Sequence, residues 1–134
     1  HYNGLKEHYC RRWLDFSLSK KLSENLVRKN NGQVLIGVQN IIFHETESPY
    51  LTITVAMESR KNKFVSVTLG ILKDEAATKS IRFLNDPAIP TIKVGTTCER
   101  CPIENCKERA AAPVIIQKKE GLKQIFNTIK KLSE

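Results

Sequence analysis

Residues 51–58, Leu51-Thr52-Ile53-Thr54-Val55-Ala56-Met57-Glu58, decide the fold class of this 134-residue chain. Apolar residues alternate there with polar or small ones. Because successive side chains of a strand point to opposite faces of a sheet, this period of two predicts a strand whose apolar face lies in the core. Residues 34–43 and 65–71 show the same kind of pattern. The linkers 44–49 and 59–63 are short, so we expect three antiparallel strands, since parallel pairing needs a long crossover.

The segments outside these strands have the spacing of helices. The C-terminal segment places five apolar residues on one helical face, and the N-terminal segment does the same until the helix-ending Asn30-Asn31-Gly32. At this spacing Trp13 and Phe126 are expected in the core. The N-terminal face comprises Leu5, Tyr9, Trp13, Phe16, Leu22 and Leu26, and the C-terminal face comprises Leu122, Ile125, Phe126, Ile129 and Leu132.

Between residues 72 and 116 the pattern predicts smaller elements. Asp74 is a good N-cap for a short helix ending before Pro87, and residues 91–94 and 114–116 are typical of short strands. The sequence therefore predicts an α+β fold, with an antiparallel sheet of about five strands and flanking helices. This arrangement is GAF/PAS-like at the level of the fold, and we expect residues 1–134 to form a single domain.

Composition and charge narrow the classes of function. The chain has 22 Lys and Arg against 14 Asp and Glu, a net charge of +8, which favours a polyanionic partner or simply a basic surface. No apolar run approaches the roughly 18 residues of a membrane span, so we expect no membrane partner and a cytoplasmic protein. The motifs of common hydrolases, metalloproteases and nucleotide-binding enzymes do not occur, so we expect no catalytic activity.

The one group of residues that could carry chemistry is a cysteine motif, C-x2-C-x4-C, formed by Cys98, Cys101 and Cys106. Two thiolates separated by two residues can reach one ion, so the motif predicts zinc or an iron–sulfur cluster. The fourth ligand would be Cys10 or one of the three histidines, His1, His8 and His44. Thiol or redox sensing and a purely structural loop remain alternatives. Three cations that would favour the thiolate form stand nearby: Arg100, Lys107 and Arg109.

Residues 95–113, GTTCERCPIENCKERAAAP, resemble the C-terminal signature of bacterial XRE-type helix-turn-helix regulators, notably the short-chain fatty acyl transcriptional regulator group. The resemblance covers about 20 residues. Thr97 stands where a glycine is usual in that family, and a double proline is reduced to Pro113. The positions that match the signature are Cys98, Cys101, Cys106, Arg109, Ala110 and Pro113.

The resemblance implies a C-terminal effector domain that follows a DNA-binding helix-turn-helix domain upstream of His1. Such a domain senses a small-molecule effector and supports dimerisation, for which the amphipathic terminal helices are the candidates. Arg100 and Arg109 are the candidate ligand-binding or regulatory residues, and DNA would be bound through the upstream domain. The alternative is a metal- or iron–sulfur-binding module that senses redox state or binds nucleic acid directly.

Overall fold

A computed structural model describes residues 6–27, 33–60 and 63–133, and within them it has an α+β fold. The chain divides into two compact units, one made of residues 11–94 and the other of residues 1–10 with 95–134. No helix of the described residues is long and apolar enough to cross a membrane. The elements in chain order are α1 (Leu14–Val27), β1 (Val34–Phe43), β2 (Pro49–Arg60), β3 (Lys63–Leu72), α2 (Glu75–Ser80), β4 (Thr91–Val94) and α3 (Val114–Leu132).

The three strands predicted around residues 51–58 form the antiparallel meander that their short linkers indicated. The sheet order is β3-β2-β1-β4, and Val55 of the central β2 lies between Ile36 and Val67. The prediction of about five antiparallel strands is wrong in two respects. First, β4 pairs with β1 in parallel, which the helix and loops between β3 and β4 make possible. Second, the predicted strand 114–116 is the first turn of α3.

Helix α1 covers one face of this sheet. Leu18 and Leu22 pack with Ala56 to form the core, and Leu14 lies over Gly37. A Cβ atom at Gly37 would stand 2.8 Å from Leu14 Cδ2, so the glycine lets the helix approach the sheet closely. The strand residues on this face include small and polar ones, such as Thr54, together with Leu35 and Phe64, which pack against the same cluster.

The opposite face of the sheet carries the apolar residues of that pattern, and much of it is exposed. Ile36 is 67% exposed and Val67 is 74% exposed, whereas Thr54 on the helix-covered face is fully buried. The strand prediction is confirmed, but the predicted core face is buried only in part: Leu51 is fully buried and Met57 is exposed, because α1 packs on the other face. We call this exposed surface the open face; it comprises Val34, Ile36, Met57, Val65, Val67 and Leu69.

The helices depart from the sequence prediction at both ends of the chain. α1 begins at Leu14, and the preceding described residues are not helical, whereas the apolar spacing predicted a helix from Leu5. Trp13 is partly buried and its ring meets Phe43 edge to face at 5.6 Å, but Phe126, also predicted in the core, is 68% exposed. The predicted ending at residues 30–32 lies outside the described residues.

The predicted N-cap is confirmed. The side chain of Asp74 accepts a hydrogen bond from the amide of Ala77 at 2.7 Å and opens α2. The helix ends at Ser80, earlier than the position of Pro87 allowed.

Candidate functional site

The segment before α1 pairs with the start of the cysteine motif. The amide of Cys98 donates to the carbonyl of His8 at 2.8 Å, and the amide of Cys10 donates to the carbonyl of Thr96 at 3.2 Å. The backbone that the sequence predicted as helix is used instead for antiparallel pairing. We call this pairing the clip; it comprises residues 7–10 and 96–100.

A bidentate ion pair joins the two sides of the clip. The guanidinium of Arg100 donates from Nη2 to Glu7 Oε1 at 2.8 Å and from Nε to Glu7 Oε2 at 2.9 Å. The hydroxyl of Thr97 donates to the same carboxylate at 2.7 Å. These hydrogen bonds, first that from Arg100 and then that from Thr97, hold the pKa of Glu7 below its ordinary value, and Glu7 raises the pKa of Arg100.

A second carboxylate, that of Glu99, joins the two segments of the clip through His8. Glu99 is buried, and it accepts the backbone amide of His8 at 3.0 Å and lies 2.7 Å from His8 Nδ1. Burial acts to raise the pKa of Glu99, but the hydrogen bonds from the His8 ring and from the amides of Glu99 and His8 outweigh it, so the pKa is lowered. The two carboxylates therefore reach across the clip in opposite directions, Glu7 to Arg100 and Glu99 to His8.

Arg109 organises the loop that follows. Its guanidinium donates to the carbonyl oxygens of Cys98 at 2.8 Å, Cys101 at 3.1 Å and Ala111 at 3.3 Å, and also to that of Ile103. A planar guanidinium presents five N–H donors, which suits it to gathering several carbonyls at once. We call this arrangement the carbonyl clamp. It closes a loop that has few apolar side chains to bury.

The motif cysteines differ in burial. Cys98 and Cys101 are buried, and Cys106 is half-buried. The amide of Ala110 donates to Cys98 Sγ at 3.4 Å. A Cβ atom at Gly95 would lie 3.4 Å from Cys101 Sγ, so the glycine makes room for that thiol. The two buried sulfurs thus lie within the folded loop and contact its backbone.

The described residues do not offer a metal centre in this arrangement. Across residues 6–27, 33–60 and 63–133, no three Cys, His, Asp or Glu side chains form a group that could hold a metal ion. Cys10 is buried in the clip, not on the predicted helix. Binding of zinc or an iron–sulfur cluster by Cys98, Cys101, Cys106 and Cys10 stays a prediction.

Sequence reasoning found one half of this site and missed the other. It singled out Arg100 and Arg109, and both guanidinium groups are engaged within the chain. It missed Glu7 as the partner of Arg100, and it considered His8 only as a metal ligand. No local pattern marks these pairs, because the partners lie 91 and 93 positions apart.

Comparison of the chain with protein-family models, with curated protein sequences and with solved structures found no match. Any functional assignment therefore depends on the resemblance of residues 95–113 and on the geometry described above.

Proposed function

We propose that this chain is the regulatory domain of a bacterial transcriptional regulator, in which an upstream helix-turn-helix domain binds DNA. The domain senses a small-molecule effector, supports dimerisation and has no catalytic activity of its own. The protein acts in the cytoplasm, where its DNA lies.

The observation that carries this proposal is the carbonyl clamp. The positions that resemble the regulator signature include Cys98, Cys101 and Arg109, and these are the residues that the clamp joins by hydrogen bonds. A shared structural role gives a physical reason for their spacing in the sequence.

The clip supports a route for the signal. Glu7 is joined to Arg100 by an ion pair, and His8 is joined to Glu99 by hydrogen bonds. The segment at residues 7 and 8 is therefore attached directly to the start of the cysteine loop. An effector that displaces Arg109 from its carbonyls, or that modifies a thiol, would disturb residues 98–101 and with them the clip. That disturbance would reach an upstream DNA-binding domain through a few residues of backbone.

The proposal is tested by DNA binding of two proteins, the one encoded by the complete reading frame and the 134-residue chain alone. The complete protein should select particular genomic fragments and protect a palindromic site, because a dimer of helix-turn-helix domains reads two half-sites. The chain alone should bind duplex DNA weakly and with strong dependence on salt, since its positive charge can only neutralise phosphates.

A variant of the carbonyl clamp tests the regulatory role of the loop. Arg109→Lys in the complete protein should keep site-specific DNA binding but change its response to effector, because the lysine cannot bridge the same carbonyls. Sequence-specific binding by the 134-residue chain at near-physiological salt would contradict the proposal and favour a module that binds nucleic acid directly.

A further inference from the structure

The open face of the sheet is unusually apolar for an exposed protein surface. Its residues are those that alternate with polar ones along the strands, the pattern that normally marks a buried face. At their observed exposures the six side chains leave on the order of 500 Å² of apolar surface open, at the upper end of what monomers expose. A face with this pattern is expected to be covered in the functional protein.

The second half of α3 carries a second exposed apolar surface. Every residue from Leu122 to Leu132 is exposed, although five of them are large and apolar. Phe126 is 68% exposed and Leu132 is 83% exposed. Most helical stability in proteins comes from tertiary packing of an amphipathic face, so the apolar side of α3 is expected to pack against a partner surface. We call the side formed by Leu122, Ile125, Phe126, Ile129 and Leu132 the helix stripe.

The two surfaces have matching dimensions. The helix stripe runs from Leu122 to Leu132, a length of about 16 Å, and the open face runs from Val65 to Leu69 along β3, a length of about 17 Å. Three adjacent strands are roughly 10 Å wide from first to last, which is about the diameter of a helix. The helix stripe laid along the strands would therefore cover the open face.

The area of each surface decides what occupies it. Two open faces in contact, or two helix stripes in contact, would bury on the order of 1,000 Å² in total, below the standard size of a stable interface. Two copies that exchange helices bury both surfaces of both chains, on the order of 2,000 Å², which is the size of a stable dimer. The exchange also leaves neither apolar surface uncovered.

We propose that two copies of this chain form a twofold dimer in which the helix stripe of each copy lies on the open face of the other. Each sheet then has a helix on both faces, its own α1 on one and the partner copy's α3 on the other. This inference rests on the dimerisation included in the proposed function and names its interface.

The test measures the dimer dissociation constant by sedimentation for the wild-type chain and for two variants. Val67→Lys places a charge in the open face, and Phe126→Glu places one in the helix stripe. Each should raise the dissociation constant at least tenfold, because a charge that remains unpaired in an apolar interface is costly. Both residues are exposed within the chain, so the circular dichroism spectrum of each variant should match that of the wild type.

Mixing the two variants supplies the decisive measurement. A mixed dimer has one unaltered pair of surfaces, and in the other pair the introduced lysine of one copy meets the introduced glutamate of its partner copy. An equimolar mixture of Val67→Lys and Phe126→Glu should therefore dimerise more tightly than either variant alone. Two controls should dimerise like the wild type: Ser66→Lys, the neighbouring residue on the opposite face of β3, and Lys131→Glu, on the polar side of α3.

The other outcomes each overturn the exchange. Sensitivity to Phe126→Glu alone would mean that helix packs on helix, and sensitivity to Val67→Lys alone would mean that sheet packs on sheet. Either result rejects this interface and leaves dimerisation intact. A wild-type chain that is monomeric at about 100 µM would reject the dimer itself. The DNA-binding test of the proposed function is independent, since site-specific binding by the complete protein is measured separately.

Discussion

At the scale of single residues, Arg109 orders the cysteine loop, as a small hydrophobic core would order a loop with more apolar side chains. The loop from Cys98 to Ala111 has Ile103 as its one large aliphatic residue, so burial alone contributes little to its order. The guanidinium replaces that contribution with hydrogen bonds from a single charged group to carbonyls at four positions. Hydrogen bonds of charged groups are stronger than neutral ones, so one side chain can define the path of the loop.

The clamp predicts a specific loss of stability. Arg109→Ala should lower the free energy of unfolding by at least about 2 kcal/mol, because several carbonyl oxygens lose their donor together. Arg109→Lys should recover only part of this, since an ammonium group cannot reach the same set of acceptors. Urea unfolding measures both. Lys107→Ala, an exposed cation in the same loop, is the control and should change stability by less than about 0.5 kcal/mol.

The cysteines predict an unequal pattern of substitution effects. Cys98→Ser and Cys101→Ser should each cost about 1–3 kcal/mol, because a hydroxyl replaces a buried thiol. Cys106→Ser should cost less, since that side chain is half-buried. Thermal melting with and without a chelator distinguishes this packing role from metal binding. Three equal losses, reproduced in the wild type by chelation, would instead support the metal site.

At the scale of elements, the clip and the α1-covered sheet are held by different forces. The clip depends on two carboxylates and their partners, and little of its surface is apolar. The contact of α1 with the sheet depends on aliphatic packing above small residues, with Gly37 beneath Leu14. The stability of the clip should therefore depend on pH, and the packing of α1 on the sheet should depend on the size of the side chains between them.

The pH dependence follows from the lowered pKa values of Glu7 and Glu99. Both carboxyls have an ordinary pKa of 4.5, and both are lower in the folded chain. Their stabilising contribution is therefore complete above pH 4.5 and is lost as the pH falls through the folded values. The free energy of unfolding should decrease on acidification from pH 4.5, and this decrease should be smaller in Glu7→Gln.

A double-mutant cycle checks that the effect belongs to the ion pair. Arg100→Gln and Glu7→Gln remove the same contact, so the double variant should lose less stability than the two single variants together. Additive losses would mean that the Arg100–Glu7 pair contributes nothing to the stability of the clip.

The close approach of α1 predicts a contrast between two glycines. Gly37→Val should destabilise the chain by about 1–3 kcal/mol, because Leu14 must move to admit the new side chain. Gly70→Val is the matched control in the edge strand β3, where nothing lies within 4 Å of a new Cβ, and it should be neutral or slightly stabilising. Equal losses at the two positions would show that strand conformation, and not the helix contact, sets the cost.

The strands could be predicted from the sequence because their signal is local. The period of two around Val55 and the N-cap at Asp74 depend only on neighbouring residues, and both predictions are confirmed. The face that α1 covers could not be predicted, because alternation shows only that the two faces of the sheet differ and does not show which of them packs against a helix. Here α1 packs on the face of Ala56, and the opposite face is buried at Leu51 but exposed at Met57.

The site was predictable only in its C-terminal half. The spacing of the cysteines and Arg109 is visible over about 20 residues of sequence, whereas Glu7 and His8 carry no mark of their distant partners. The apolar spacing through Tyr9 even favoured a helix there. In the folded chain this segment pairs instead with residues 96–98, and the amides of Cys10 and Cys98 donate across the pairing to Thr96 and His8.

At the scale of the whole molecule, the features that bear on the two proposals are the net charge and the two exposed apolar surfaces. The charge of +8 is the charge that the proposed attachment to a DNA-binding domain would require. The open face and the helix stripe favour a second copy.

The clip also has a consequence for the order in which the chain folds. It joins residues whose sequence separation reaches 93, and a closure of that length costs conformational entropy before any contact compensates for it. The meander of β1, β2 and β3 joins close neighbours and should form first. The clip should then form late and open early, so its amides should exchange with solvent deuterium sooner than those of the central strand. A segment with these kinetics can be released without unfolding the sheet.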